Sequence, residues 1–273
     1  MEREVTMKEV ERAFDLTLAF PQWQGSGRHL NLSRGAEATA TVCARFAPIV
    51  AVPLSELGGS AFRINKWNAI FDQFCKACEI LSTHAPKRLL TAGGDCACDI
   101  ASIAYLRRLY PDLTVVWIDA HADATTPERA KNGNFHSMPV TALMGHAPEA
   151  MDQRIRIPLD PMRFFYWGVR SDNESDRAFW GRGVPVLEDC SRLSGPVHIH
   201  LDLDVLEPSE FPYLAYPEPN GMSVHATLSL IEQVARYSSI VGLTITEFAP
   251  ATEDDAERGA KVIECLCKAA LRK

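Results

Sequence analysis

The sequence predicts a three-layer α/β/α protein built on a mainly parallel sheet. Three observations predict it. From residue 65 onward, short apolar, β-rich runs alternate with segments of helical periodicity; several runs are apolar enough to be covered on both faces; and polar residues gather just after them. In chain order, "FDLTLAF" (14–20) reads as a strand within a first sixty residues that are otherwise poorly legible. In "KWNAIFDQFCKACEIL", Trp67, Phe71, Phe74, Cys78 and Leu81 recur at helical spacing. Cys75 and Cys78 therefore belong to a core-facing helix, and the second CxxC that a structural zinc site needs is missing. "RLLTA" (88–92) is a strand, "DIASIAYLRRLYP" a helix, and "LTVVWI" (113–118) and "RFFYWGV" (163–169) are strands. "DRAFWGRG" is helical, "VHIHLDLD" (197–204) a strand, "SVHATLSLIEQVARY" a helix, "IVGLTITEF" (240–248) a strand, and "EDDAERGAKVIECLCKAALRK" a closing helix. Right-handed crossovers between such strands set them parallel.

With 273 residues and neither repeat nor linker, the chain reads as one domain spanning 1–273. Apolar residues make up 47% and charged residues 23%, as in ordinary globular proteins. A net charge of −7 without a Lys/Arg run excludes nucleic acid or an anionic membrane as the main partner. The longest apolar run, "APIVAVPL", is too short to span a bilayer. "MEREVTMKEVERAF" carries charges where a signal peptide needs an apolar core, so a cytoplasmic location is expected. The eight cysteines do not suggest a disulfide framework, and Cys43, Cys190, Cys265 and Cys267 read as core residues.

Ligands bind beyond the carboxyl ends of the strands in such a sheet. The polar residues fall there each time: Gly93-Gly94-Asp95-Cys96 after "RLLTA", Asp119, His121 and Asp123 after "LTVVWI", Asp202 and Asp204 after "VHIHL", and Glu247 after "GLTIT". An Asp at one strand end is usually a helix cap or turn residue. Five oxygen and nitrogen donors at one sheet edge are different, because that much negative charge repels itself unless cations neutralise it. Hard carboxylates with little sulfur suit Mn²⁺ or Mg²⁺ better than a structural zinc, an added imidazole tilts the choice toward Mn²⁺, and so many carboxylates suit two ions bridged by shared ligands.

In this order, "GGDC", "DAHAD", "HLDLDVLEP" and "TEFAP" resemble the ureohydrolase family of arginases and agmatinases, whose pattern is GGDH, DAHxD, SxDxDxxDP and a late Glu before Pro. The resemblance covers most of the chain. It implies the arginase-like fold, two Mn²⁺ per chain, hydrolysis of a guanidino group and a homo-oligomer. By position, Asp119 and Asp202 would bridge the metals, His121 and Asp204 would complete one site, and Asp123 and Cys96 the other. Asp123 would also orient the attacking hydroxide, Glu247 would hold the guanidinium, and His136 would shuttle the proton. "DATTPERAKNGNFHSMP" keeps the T-P and G-N-x-H-x-x-P that arginases carry, which implies a substrate with an α-amino acid head. Thr125, Asn132 and Asn134 would meet its carboxylate; Asn173 and Asp176, in "WGVRSDNESD", would meet its amino group.

The chain departs from the pattern at three places. Cys96 replaces a metal-binding His, His200 stands where Ser is usual, and Glu207 replaces an Asp. A thiolate suits Mn²⁺ poorly, so one metal site is expected to be weaker. A substrate needing less activation than arginine follows from that expectation. Arginase-like hydrolases of N-hydroxy-arginine, which serve antibiotic pathways such as that of cycloserine, use such a substrate. A plain arginase and an inactive binding or regulatory subunit are the alternatives, and retention of His136 and Glu247 weighs against the second.

Overall fold

The computed structural model describes residues 13–27, 30–171, 174–181 and 185–271. The N-terminal stretch read above as no signal peptide falls mostly outside them, as do Asn173 and part of "DRAFWGRG". Among the described residues seven strands form one sheet: β1 (Leu16–Phe20), β2 (Ile49–Ala51), β3 (Leu89–Gly93), β4 (Thr114–Ile118), β5 (Phe164–Trp167), β6 (Pro196–Asp202) and β7 (Ser239–Thr246). Their order is β2-β1-β3-β7-β6-β4-β5, and every pairing is parallel. The helices are α1 (Asn31–Cys43), α2 (Trp67–His84), α3 (Asp99–Leu109), α4 (Pro139–Thr141), α5 (Glu149–Ile155), α6 (Glu174–Trp180), α7 (Val224–Tyr237) and α8 (Glu253–Ala269).

Strands β1, β3 and β4 are buried at every position, which is why their sequences are apolar runs rather than alternations. Period two still sorts their side chains. Trp117 joins a core with α2, α3 and α5, while Val116 and Ile118 join the opposite core with α1, α7 and α8. The result is the expected three-layer architecture. Local chemistry fixes the helix ends. Thr252 and Asp255 form a reciprocal capping box at the start of α8, and the Ser223 hydroxyl caps α7.

Four elements were not foreseen: α1, β2, α4 and α5. Helix α1 is built largely of small residues, and its Gly35 lies so close to Phe248 that an added Cβ would sit 1.7 Å from that residue's carbonyl oxygen. Strand β2 is a three-residue, largely exposed edge. One cysteine reading needs correction: Cys265 is exposed. The buried stripe of α8 runs through Gly259, Ile263 and Leu266, and the helical period turns Cys265 outward. Cys43, Cys190 and Cys267 are buried, and Cys75 and Cys78 are half-buried. Among the described residues no helix is long and apolar enough to cross a membrane.

Candidate metal centre

Four neighbouring strands, β3, β7, β6 and β4, deliver the polar residues to one end of the sheet. Strand β3 leaves through Gly93 and Gly94. A Cβ at position 94 would lie 1.9 Å from the Gln22 carbonyl oxygen, so the chain passes there only as glycine. Asp95 then accepts hydrogen bonds from Gln22 Nε2 at 2.9 Å, Gly25 N at 2.7 Å and Ala97 N at 3.1 Å. This knot caps the turn that carries Cys96 into the site. Burial nevertheless pushes the Asp95 carboxyl up to about 7.

After β4, Asp119 accepts from the Trp117 indole at 2.8 Å and from the His121 amide at 2.6 Å. After β6, Asp202 accepts from the Asp204 amide at 2.7 Å, which ends the strand earlier than "VHIHLDLD" suggests, and Asp204 accepts from Ala120 N at 3.2 Å. Two site residues have left-handed backbones, Asp123 at φ 48° and Glu247 at φ 61°. Such conformations cost non-glycine residues free energy and concentrate at functional positions.

The ligand atoms fall into two groups that share Asp119. Cys96, Asp119, His200 and Asp202 form one, and Asp119, His121 and Asp204 the other; within each group the atoms lie no more than 4.8 Å apart. Cys96 Sγ donates to Asp202 Oδ2 at 2.9 Å, and His121 Nδ1 lies 2.9 Å from Asp204 Oδ2. Asp123 belongs to neither group, but it lines the same cavity of about 200 Å³ with His136 and Glu247. Its Oδ2 and Glu247 Oε2 are buried without a hydrogen-bond partner among the described residues. Without a metal the charges are in conflict. Burial, then mutual repulsion, raises Asp123 and Asp202 well above the usual carboxylate range, and lifts Asp204 to about 6 and Glu247 to about 8. Burial and the neighbouring carboxylates also push the Cys96 thiol up. For His121, burial opposes the charge, but hydrogen bonds to Asp119 and Asp204 outweigh it and raise its pKa. Orphaned buried oxygens, overlapping carboxylate sets and an imidazole fit two divalent cations that share a ligand.

His136 faces Glu247, its Nδ1 3.6 Å from Oε1, and packs on Tyr216 with ring centroids 4.9 Å apart. Burial lowers its pKa. A second, outer cavity of about 510 Å³ shares Asn132 and Ser137 with the inner one and adds Thr125, Lys131, Glu174 and Arg177. The Thr125 hydroxyl is buried without a partner among the described residues. Asp176 lines the inner cavity and accepts from Ala124 N at 3.1 Å. The Asn134 amide braces loops, donating to the Ser26 carbonyl and accepting from Asn65. Sequence reasoning missed Tyr216 and Glu218, the latter 3.4 Å from His121 Nε2. Both lie on a loop without periodicity and carry no signal of their own.

An α/β protein with a two-cation donor set at the carboxyl edge of its sheet is the class that fold and site define. The Arginase family model matches residues 33–271, and the chain belongs to that family. Arginase from Eremothecium gossypii is 25% identical over 214 residues, covering 67% of this chain and 54% of the relative. Arginase-1 from Bos taurus is 29% identical over 204 residues, covering 64% of this chain and 62% of the relative. The chain thus spans less than two thirds of these relatives' length. The crystal structure of arginase from Bacillus caldovelox superposes with a TM-score of 0.82 at 22% identity, covering 95% of this chain and 99% of that one.

Proposed function

We propose that the protein is a two-manganese amidinohydrolase, one domain over 1–273, that cleaves Nω-hydroxy-L-arginine to L-ornithine and hydroxyurea and acts more weakly on L-arginine. The observation that carries the hydrolase reading is the pair of donor groups sharing Asp119, set beside Glu247 and His136 in one cavity of an arginase-family chain. Bound there, two Mn²⁺ ions would supply Lewis acidity and a water acidic enough to attack near neutral pH. The metal-binding residues in this reading are Cys96, Asp119, His121, Asp123, Asp202 and Asp204, with the Cys96 site the weaker.

The side chains around the cations divide the remaining work. Glu247, with one carboxylate oxygen unpartnered, accepts charge-assisted hydrogen bonds from the guanidine N–H groups. Asp123, whose Oδ2 is likewise unpartnered, orients the attacking water by accepting from it. The water oxygen adds to the guanidine carbon, the bond from that carbon to the side-chain nitrogen breaks, and His136 delivers a proton to the departing amine. The amino-acid head extends toward Thr125, Asn132 and Asp176, where the inner and outer cavities meet. The enzyme acts on a small molecule in the cytoplasm, as a homo-oligomer, in an antibiotic-forming pathway.

The substrate preference rests on Cys96. An N-hydroxyl group lowers the basicity of the guanidine and asks less of a centre weakened by a thiol ligand. The test measures kcat/KM for both substrates, with Mn²⁺ saturating, in the wild type and in Cys96→His. Preference for the hydroxylated substrate, shifted toward arginine by Cys96→His, is the expected result. Equal use of both by the wild type, with an unchanged ratio in the variant, leaves a plain arginase.

A further inference from the structure

His200 lies on β6 two residues before Asp202, so both side chains point to the same face of the sheet. Its imidazole is fully buried and lies flat on the Trp117 indole, with centroids 3.5 Å apart and planes within 6°. Nδ1 is 2.8 Å from Asp99 Oδ2. The same carboxylate holds His198 Nε2 at 2.9 Å and accepts from the Thr244 hydroxyl at 2.6 Å. These contacts keep Asp99 below the usual carboxylate range against the effect of burial. With Nδ1 engaged by Asp99, Nε2 is the ring nitrogen of His200 that faces other partners. On that side the neighbour is the Thr246 hydroxyl at 3.4 Å, itself 3.5 Å from Cys96 Sγ.

We propose that His200 is a metal ligand, supplying from β6 the imidazole that position 96 lacks, with Asp99 as the residue that positions it. The proposal rests on reading the cavity as a two-cation centre. Donors about 2.0–2.3 Å from one ion lie roughly 3–4.6 Å from each other, and those of Cys96, Asp119, His200 and Asp202 all lie within 4.8 Å. A carboxylate that accepts from the far nitrogen of a ligating histidine fixes its tautomer and ring orientation, which is the relation of Asp99 to His200. Two of the three departures from the family pattern, Cys96 and His200, then become one exchange. A thiol replaces imidazole at the β3 exit, and imidazole replaces a hydroxyl on β6. The cation held by this group keeps a nitrogen donor.

The test loads the full chain, labelled with ¹⁵N-histidine, with ¹¹³Cd²⁺ and counts imidazole nitrogens coupled to cadmium. Two coupled residues are expected, His121 and His200, with the His200 coupling lost in His200→Ser. Coupling to His121 alone in the wild type overturns the proposal, even if His200→Ser does not fold. Mn²⁺ binding is then measured by equilibrium dialysis. His200→Ser should lose one of two ions, Asp99→Asn should weaken that ion by about 10- to 100-fold, and Cys96→His with His200→Ser should bind two again. Two ions held by His200→Ser with unchanged affinity would remove His200 from the centre and leave the hydrolase reading standing. A wild type that binds no divalent ion overturns both.

Discussion

His136 Nδ1 and Glu247 Oε1 lie 3.6 Å apart, which puts the proposed proton carrier and the proposed guanidine anchor on one side of the cavity. Replacing His136 with Asn keeps a hydrogen-bonding side chain and removes the titratable ring. We expect kcat to fall about 10²- to 10⁴-fold with little change in KM, the usual range for losing a general acid or base. Steady-state kinetics on the hydroxylated substrate give the answer, and a KM effect alone would move His136 to substrate binding.

Glu247→Gln removes charge and keeps shape. Transition-state stabilisation should drop by about 2–5 kcal/mol, the range for breaking a buried charged pair, while bound manganese stays at the wild-type level. Loss of metal with activity would instead make Glu247 a ligand.

Asp119 belongs to both donor groups and Asp204 to one. Asp119→Ala should therefore empty the centre, and Asp204→Ala should leave one ion bound. Metal analysis after gel filtration separates the two outcomes.

Stability of the metal-free protein should fall as pH rises. Folded Asp204 titrates at about 6 and Glu247 at about 8, both above the unfolded carboxyl range, so the fold holds protons that the unfolded chain releases. That contribution is complete at low pH and disappears as pH passes through the two folded values. Melting curves of chelator-treated protein between about pH 5 and pH 9 should show a declining Tm, and Mn²⁺ should flatten the decline by replacing the protons. A Tm that rises across this window would contradict the assignment.

Gly94→Ala tests the frame rather than the chemistry. The new methyl group meets the Gln22 carbonyl at 1.9 Å, so the β3 exit must shift. A loss of about 1–3 kcal/mol in chemical denaturation is expected, the usual range for overpacking a tight site.

Much of this was legible in the sequence because strand ends announce themselves. An apolar run that stops at Asp119 or Asp202 marks both a buried strand and the edge where ligands gather. The first sixty residues were opaque for a physical reason. Helix α1 buries small side chains against α8 and Phe248, so it lacks the bulky stripe that periodicity detects, and β2 is too short and exposed to alternate. In the site, Cys96 could be singled out by its place in a motif. His200 was visible only as an odd residue, because its meaning depends on Asp99, 101 positions away in sequence, and on the face of Trp117. Asn134 likewise stood out by its motif, while its bonds to Ser26 and Asn65 depend on the fold.

Strand β7 lies between β3 and β6, although it is the last strand in the chain. Cys96 on one side and Asp202 on the other come within 2.9 Å only across the space beyond its end, and Glu247 follows directly from it. The donors that follow β4 and β6 are brought together by the direct pairing of those two strands, whereas Cys96, after β3, stands apart from them until β7 joins the sheet. Residues 239–247 are thus the keystone of the Cys96 site, which is complete only when they fill the gap between β3 and β6.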